Sequence, residues 1–516
     1  MTINSQEIIR DVRTEFENLL DYVTGEQART AKADSIERGL FKMLLSLGAK
    51  LLELFFVMRS QTCSREKFQN KDGQLLPYHH DNRRVYFSIF GKVSIERPYF
   101  YKTGAVKGQT PLDAELGLGD DSYSDLLREI TEYLAVYRVY GGKSADFLER
   151  LLGLKLSTRA LQQNIAEDSA SVEAYYAQKP SPSPESEAEI LVIQADGKGI
   201  PMVLEEDEVP ETQVRLGKGQ KHGHKKEALV TAIYTITANP RTASEVIASF
   251  FEENWAENMP QRVSQPQNKH IWATLDGKDA ALSRLYKHVV LREGPHIQHK
   301  VALCDGCESL QSRIVLQFQG FTLILDFVHA NEYLWNVANS LLGETSEKRI
   351  EWVKSRTCQI LSGETTQVIS ELRTLANAKK IKVVQRKQLT KTANYFERNL
   401  PYMDYQSYLA HGYPIASGVI EGACRHFVKD RFELSGMRWL QTGAENLLRL
   451  RAVAENADWD KYFAFHTQQR QLRLYGRLAS NTHSIESQVI TSQPAVLRRS
   501  TAAINHSNHD VLPLAA

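Results

Sequence analysis

The chain has 516 residues, of which 42% are hydrophobic and 24% charged, and its 63 Lys and Arg residues nearly cancel its 62 Asp and Glu residues. This composition excludes a disordered or fibrous chain and is typical of about two to four globular domains. The five cysteines are too few and scattered for a disulfide scaffold, and they favour a reducing compartment. The chain has no signal-peptide pattern and no apolar run of about 18 residues, so we expect no membrane span and a cytoplasmic location.

Residues 1–120 are predicted to form a mainly helical region with one β-hairpin. Helical periodicity runs through residues 5–60, and its apolar part, 43–58 (MLLSLGAKLLELFFVM), predicts a buried core helix. In residues 84–101, apolar and polar side chains alternate in two runs on either side of a Gly-Lys turn, which predicts the hairpin.

Residues 121–179 return to a helical pattern. Within them, SADFLERLLGLKLSTRALQQNIAE (144–167) indicates two short amphipathic helices about a glycine-containing turn. This pattern is typical of a DNA-binding helix-turn-helix, and it fits an ordinary helical hairpin as well. PSPSPESEAE (180–189) predicts a linker and a domain boundary.

After the linker, strands alternate with helices, which predicts an α/β core. The predicted strands are 189–195, 227–237, 299–304 and 321–326, and helices are predicted at 278–292 and 417–431. The predicted units are a first part of the core (190–329), a helical insertion (330–410), a second part of the core (411–475) and a loose tail (476–516).

Acidic residues follow three of the predicted strands. Asp196 follows ILVIQA, Asp305 follows KVALC and Asp326 follows FTLIL, while Glu421 lies on the predicted helix 417–431. Each aspartate alone fits a turn or a helix N-cap. Together, at the edge where strand ends meet, they would repel one another without a cation, and carboxylate oxygens suit Mg²⁺ or Mn²⁺. Two such ions can catalyse phosphodiester chemistry.

Asp276, in IWATLDGKDA, has a similar local setting. A helical period follows it directly, so we interpret it as a loop or helix-start residue.

Four motifs carry a resemblance to a known family. DGKGIPM, ALCDGCESL, LDFVHANEYLW and SGVIEGACRHFVKDRFELSGMRW occur in this order. They resemble the core of an insertion-sequence transposase of the ISKra type, a group of DDE transposases with a ribonuclease-H-like fold. The resemblance covers about residues 189–455 and is less specific in the N-terminal half. It implies an α/β ribonuclease-H-like core with an all-helical insertion, preceded by the helical region with its hairpin and helix-turn-helix-like segment.

The resemblance also implies the chemistry. Asp196, Asp305 and Glu421 match the catalytic acids, which would bind two Mg²⁺ or Mn²⁺ ions. Asp326 and His329 are similar to the Asp-x-x-His motif of the hAT and Mutator superfamilies. We prefer Asp305 as the second acid, because that motif normally follows the catalytic residue, and Asp326 stays the alternative.

A transposase of this kind would nick the ends of a mobile element and join the 3′-hydroxyl ends to target DNA. Its partners would be terminal inverted repeats, target DNA and a second or further copy of itself in a synaptic complex. Its location would be the bacterial cytoplasm, at the nucleoid.

Basic side chains near the acids could contact DNA phosphates, although ordinary solvated faces fit the same pattern. They come from KGQKHGHKKE (218–227), the DGKG segment and the Glu421 helix. The candidate DNA-binding residues are Lys198, Lys221, Lys225, Lys226, Arg425, Lys429 and Arg431.

Zinc is not expected. Family members often carry a Cys-x-x-Cys pair after the hairpin, and this chain has RPYFYKTGAVKGQTPLDAELGL there. Cys304 and Cys307 have the spacing of a zinc knuckle, but no second pair is positioned to complete four ligands.

Two alternatives to an active transposase stay open. One is a transposase-derived protein that binds DNA without cutting it. The other is a metal-dependent hydrolase of another class, such as a phosphatase or a glycosidase, which the helical insertion and the basic Glu421 helix disfavour.

Overall fold

The computed structural model describes residues 5–70, 73–104, 108–140, 144–203, 224–251 and 265–476. The predictions for Lys221 and for all but the first residue of the tail fall outside these ranges.

The N-terminal part consists of two long helices, α1 (Ser5–Thr24) and α2 (Ala33–Thr62), and an antiparallel sheet. Its strands are β1 (Lys67–Gln69), β2 (Leu75–Ser88) and β3 (Gly91–Phe100). The predicted hairpin is confirmed, but its turn lies before the Gly-Lys pair, because Ser88 pairs directly with Gly91.

The prediction that residues 43–58 form a buried core helix is wrong for one face of α2. Only Phe56, Val57 and Ser60 of this helix are buried. Five large apolar side chains are between 39% and 48% exposed, namely Phe41, Leu44, Leu51, Phe55 and Met58. The helix packs against α1 and β3 on its other sides, and the apolar pattern could not reveal that one side has no cover. None of the described helices is long and apolar enough to cross a membrane.

Five shorter helices follow: α3 (Pro111–Glu115), α4 (Asp125–Tyr137), α5 (Ala145–Leu152), α6 (Thr158–Asp168) and α7 (Val172–Gln178). The two predicted helices of segment 144–167 are α5 and α6. Gly153 ends α5 in the left-handed conformation at φ 68°, and the Ser157 side chain caps α6. Leu161 and Ile165 of α6 pack in the same hydrophobic core as the second half of the chain, so α6 shares a core with it.

A five-stranded mixed sheet forms the centre of the second half. Its strands are β4 (Ile190–Pro201), β5 (Lys225–Ile236), β6 (Gln267–Thr274), β7 (His299–Cys304) and β8 (Thr322–Leu325), in the order β6-β5-β4-β7-β8. β4 pairs with β5 and β5 with β6 in antiparallel fashion, whereas β4, β7 and β8 are parallel. The four predicted strands are confirmed, and β6 was missed.

The prediction that a strand ends at Asp196 and a turn follows is wrong. β4 continues through the Gly-Lys-Gly segment, because β5 pairs with it as far as Pro201. Only the pairing with β7 stops at this level, where Ala195 opposes Cys304.

Helices cover both faces of this sheet, since alternate residues of a strand point to opposite sides. Leu191 and Ile193 pack with α9 (Lys278–Arg292) and α10 (Glu308–Gln317), and Ile190 and Val192 pack with the insertion. A further helix, α8 (Ala243–Phe251), lies on the insertion side. The helix predicted at 278–292 is confirmed.

The predicted insertion is helical throughout. Its helices are α11 (Phe327–Leu342), α12 (Lys348–Leu361), α13 (Thr365–Ala376), α14 (Val383–Asn399) and α15 (Tyr405–Ala410). The chain then forms α16 (Gly418–Ala423), a π-helical segment (Cys424–Lys429), α17 (Asp430–Phe432), α18 (Gln441–Glu455) and α19 (Trp459–Tyr475). The helix predicted at 417–431 is therefore confirmed, with a π-helical interruption.

The predicted linker is held against the core. The Glu187 side chain is buried and forms an ion pair with Arg292 at 2.7 Å. The backbone N–H of Ala188 donates to Thr235 Oγ1 at 3.0 Å.

Candidate metal centre

Three aspartates lie side by side on adjacent parallel strands of the five-stranded sheet, at the edge of the sheet where β7 and β8 end. Ala195, Cys304 and Leu325 are paired across β4, β7 and β8, and Asp196, Asp305 and Asp326 each come one residue later. Neighbouring strands are about 4.8 Å apart, so the three residues span a short distance. The edge therefore gathers three carboxylates at one level, although Asp196 is inside its strand.

Glu421 of α16 reaches the same edge. Ligand atoms of Asp326, His329 and Glu421 all lie within 4.8 Å of one another. Asp196 and Asp305 are outside this group of three, but Asp305 is close enough to Asp196 and Asp326 for their charges to affect its pKa.

Asp305 is half-buried, and one of its oxygens has a backbone partner: the Cys307 N–H donates to Oδ1 at 3.1 Å. Burial raises the pKa of Asp305, and the charges of Asp196 and Asp326 raise it further. The ionised form of Asp305 is thus disfavoured by the fold, and a cation at this edge would reverse that effect.

Asp326 has a different environment, because it is fully buried and its carboxylate is occupied by backbone donors. Oδ1 accepts from the N–H groups of Val328 at 2.6 Å and His329 at 3.1 Å, which makes Asp326 the N-cap of α11. Oδ2 accepts from the Ser417 N–H at 2.8 Å. These bonds already account for the burial of this acid.

His329 lies beside Asp326, with Nδ1 3.7 Å from Asp326 Oδ1. The Asp326 carboxylate raises the pKa of His329 to about 9, against the opposing effect of burial. The Asp326 carboxylate therefore favours the protonated form of the imidazole.

Two side chains of β4 fix the segment that carries Glu421, and sequence reasoning missed this role. Buried Gln194 accepts from the Ile420 N–H through Oε1 at 2.9 Å. Cys424 Sγ donates to Asp196 Oδ2 at 3.3 Å. Gln194 could have been noticed as the one amide inside the apolar run ILVIQA.

Some of the predicted DNA-binding residues are exposed, and others already contact a neighbouring side chain of the protein. Arg425 and Lys429 are exposed on the π-helical segment, and Lys198 is half-exposed on β4. Lys225 Nζ lies 2.5 Å from Glu433 Oε1, and Lys226 Nζ lies 2.6 Å from Gln441 Oε1. The last two therefore have local partners.

The prediction for Arg431 is wrong. Its side chain is 1% exposed, and Nε donates to the carbonyl of Ala135 at 2.9 Å. The guanidinium lies over the rings of Tyr140 and Trp439, with centroid distances of 4.8 and 5.0 Å. Arg431 holds α4 against the C-terminal part of the core and is not available to DNA.

Asp276 lies after β6 and before α9, as interpreted from the sequence, and it is exposed.

No protein-family model matches the chain, and a comparison with curated proteins finds no match. The function of the chain is therefore inferred from its residues and their geometry.

Proposed function

We propose that the chain is a DDE transposase that nicks element ends and joins 3′-hydroxyl ends to target DNA. The observation that carries this proposal is that Asp196, Asp305 and Asp326 lie level with one another at the sheet, with Glu421 of α16 within 4.8 Å of Asp326, although these acids are far apart in the sequence. A gathered set of carboxylates beside exposed cations suits a phosphodiester substrate better than a neutral one.

Asp196, Asp305 and Glu421 would hold the two Mg²⁺ or Mn²⁺ ions. Their oxygens are the hard donors that these ions prefer, and a bound cation would offset the burial and the like charges that raise the pKa of Asp305. Ions bound there would activate the attacking water or 3′-hydroxyl and stabilise the leaving oxygen. The chain itself would bind the DNA backbone through Lys198, Arg425 and Lys429.

We infer that Asp305, and not Asp326, is the second ligand. Asp305 Oδ1 has a single backbone partner, whereas the Asp326 carboxylate accepts from Val328, His329 and Ser417. Asp326 would then act as a positioning residue, since it holds the segment that leads into Glu421.

The core would be ribonuclease-H-like, as the resemblance implies. Support comes from the mixed sheet with helices on both faces and from Asp305 directly after the fourth strand, β7. The helical block between Asp326 and Glu421 occupies the place expected for the insertion.

A second copy of the chain is the proposed partner besides DNA, and the exposed face of α2 would form the contact. Phe41, Leu44, Leu51, Phe55 and Met58 recur at spacings of three, four and seven residues, which is the a/d pattern of a coiled coil. Such a stripe can pair with its own copy about a two-fold axis, and it extends about 26 Å. Joining two DNA ends requires two active sites. The chain would encounter this DNA in the cytoplasm, at the nucleoid.

The test is nicking of DNA that carries the element's own ends, with Mg²⁺ or Mn²⁺. Wild type should cleave, and Asp196→Asn, Asp305→Asn and Glu421→Gln should bind DNA without cleaving it. Asp276→Asn is the matched control, because it makes the same change at an exposed acid just after β6, which β5 separates from β4, and it should cleave normally. DNA binding by wild type without cleavage under either metal would favour the silent DNA-binding protein.

A further inference from the structure

A cavity of about 560 Å³ opens beside Asp305, between the sheet edge and the helical insertion. The core contributes the Asp305 loop, and the insertion contributes residues of α11, including His329, and of α14. This volume lies in the range of small-molecule sites, about 300–1,000 Å³, which is enough for one nucleotide. The lining residues that matter below are Asp305, Gly306, Tyr333, Lys391, Tyr395 and Arg398.

Two tyrosines give the cavity an aromatic wall. The rings of Tyr333 and Tyr395 stack with a centroid distance of 3.8 Å and an interplanar angle of 7°. Each ring covers one face of the other, and both rings are partly exposed, so a base could pack only against their outer faces or edges.

Two cations lie against the same rings. Lys391 Nζ is 5.6 Å from the Tyr333 centroid, and Arg398 Cζ is 5.6 Å from the Tyr395 centroid. The Lys391 side chain is exposed, and a ring does not neutralise its charge. Arg398 has only a long contact to a carboxylate, 3.8 Å to Glu308 Oε2. Both charges are thus able to attract an anion.

The cavity and the metal centre share a wall, because the loop that carries Asp305 lies directly on Tyr395. A Cβ at Gly306 would come within 2.3 Å of the Tyr395 ring, so only glycine permits this approach. Arg398 also donates to the Gly306 carbonyl. A ligand in the cavity would therefore lie next to Asp305.

We propose that this cavity binds one unpaired nucleotide of a DNA strand where the strand enters the metal centre. Lys391 and Arg398 bind its phosphate, and its base packs against the Tyr333–Tyr395 pair. This assignment rests on the proposed function, and it adds that the active site takes a single strand with a nucleotide displaced from the duplex.

The experiment measures binding of a fluorescein-labelled single-stranded oligothymidylate by anisotropy, with Ca²⁺ in place of Mg²⁺ to prevent cleavage. We expect Lys391→Glu and Tyr333→Leu each to weaken strand binding about tenfold or more. Lys380→Glu is the matched control, because it makes the same charge change at an exposed position just before α14, and its affinity should stay within about twofold. Thermal unfolding verifies that each variant is folded.

Equal losses in Lys391→Glu and Lys380→Glu would overturn the assignment, since the binding would then depend on general charge. Competition with free thymidine monophosphate tests whether the ligand is a free nucleotide and not a DNA strand. If it competes at the same concentration as the strand, the ligand is a free nucleotide and the strand assignment is wrong.

Metal-dependent nicking separates failure of the cavity from failure of the proposed function. If wild type and Lys391→Glu nick DNA equally well, the cavity assignment fails while the transposase proposal stands. If wild type binds neither single-stranded nor duplex DNA, both fail. A higher KM for nicking in Lys391→Glu with strand binding lost supports both.

Discussion

Substituting Asp326 and Asp305 by asparagine should separate a positioning acid from a metal ligand. Asp326 accepts from Val328 and His329 through Oδ1 and from Ser417 through Oδ2. An amide has one accepting oxygen, so in Asp326→Asn its NH₂ group must face at least one backbone N–H. A lost charge-assisted bond and a buried unpaired donor cost about 2–4 kcal/mol together.

Asp305→Asn should behave in the opposite way. In an acid whose folded pKa is raised, the ionised form is less stable in the fold than in the unfolded chain at neutral pH. Burial and then Asp196 and Asp326 raise the pKa of Asp305, and a neutral amide removes this cost. Without metal, the stability of Asp305→Asn should equal or exceed that of wild type.

Thermal unfolding at pH 7, with chelator or with Mn²⁺, tests both substitutions. Asp326→Asn should unfold at a lower temperature than wild type under both conditions. Asp305→Asn should match wild type in chelator and lose the rise in unfolding temperature that Mn²⁺ causes. The reasoning is refuted if Asp326→Asn is as stable as wild type in chelator and is the variant that loses the Mn²⁺ effect.

Three further outcomes are expected. Leu44→Glu combined with Leu51→Glu should convert a dimer to a monomer in sedimentation equilibrium, and a wild type that is monomeric at every concentration would contradict the α2 contact. Burial and the neighbouring arginines lower the pKa of His288 from 6.5 to about 4, so the fold keeps it neutral while the unfolded chain takes up a proton first. Stability in urea should therefore fall by on the order of 1–3 kcal/mol as the pH drops from about 6.5 towards 4, and His288→Asn should make that fall smaller, since buried His270, whose pKa is also lowered, still contributes. Gln194→Leu should lower the free energy of unfolding by about 1–3 kcal/mol because the Ile420 N–H loses its buried acceptor; an unchanged urea midpoint would show that water replaces it.

The pattern of apolar residues predicted elements in which a regular set of side chains is buried. The helix over 278–292 and the strand over 299–304 agree with the structure residue for residue. β6 was missed because it is an edge strand, and its first residues, Gln267, Asn268 and Lys269, are exposed. A polar start of this kind gives no period-two signal.

Tertiary contacts decided the predictions that were wrong. The Gly-Lys-Gly segment after Asp196 has turn chemistry, yet continued pairing with β5 keeps it extended. Arg431 follows Arg425 and Lys429 on the same helical segment, but only the packing of Tyr140 and Trp439 buries it. Sequence patterns predict which residues are charged, and the neighbouring elements decide which of them meet water.

For the candidate site, the acids were visible in the sequence and their alignment was not. The strand-ending positions of Asp305 and Asp326 follow from the apolar runs before them. That both lie level with Asp196 depends on strand register, and register is a property of pairs of strands. The cavity side chains Lys391 and Tyr395 come from α14 and carry no motif, so their nearness to Asp305 could be found only in the fold.

Asp326 joins the two ends of the helical insertion. Its Oδ1 caps α11, where the insertion starts, and its Oδ2 holds the Ser417 N–H, where the insertion returns to the core. A backbone hydrogen bond also joins these two ends, since the Phe327 N–H donates to the Ile415 carbonyl at 2.9 Å. Because both ends are fixed at the sheet edge, Glu421 can keep its place beside Asp326 and His329 whatever the length of the helices between them. The helices of the insertion can then line the cavity while the positions of Asp196, Asp305 and Asp326 depend on the sheet.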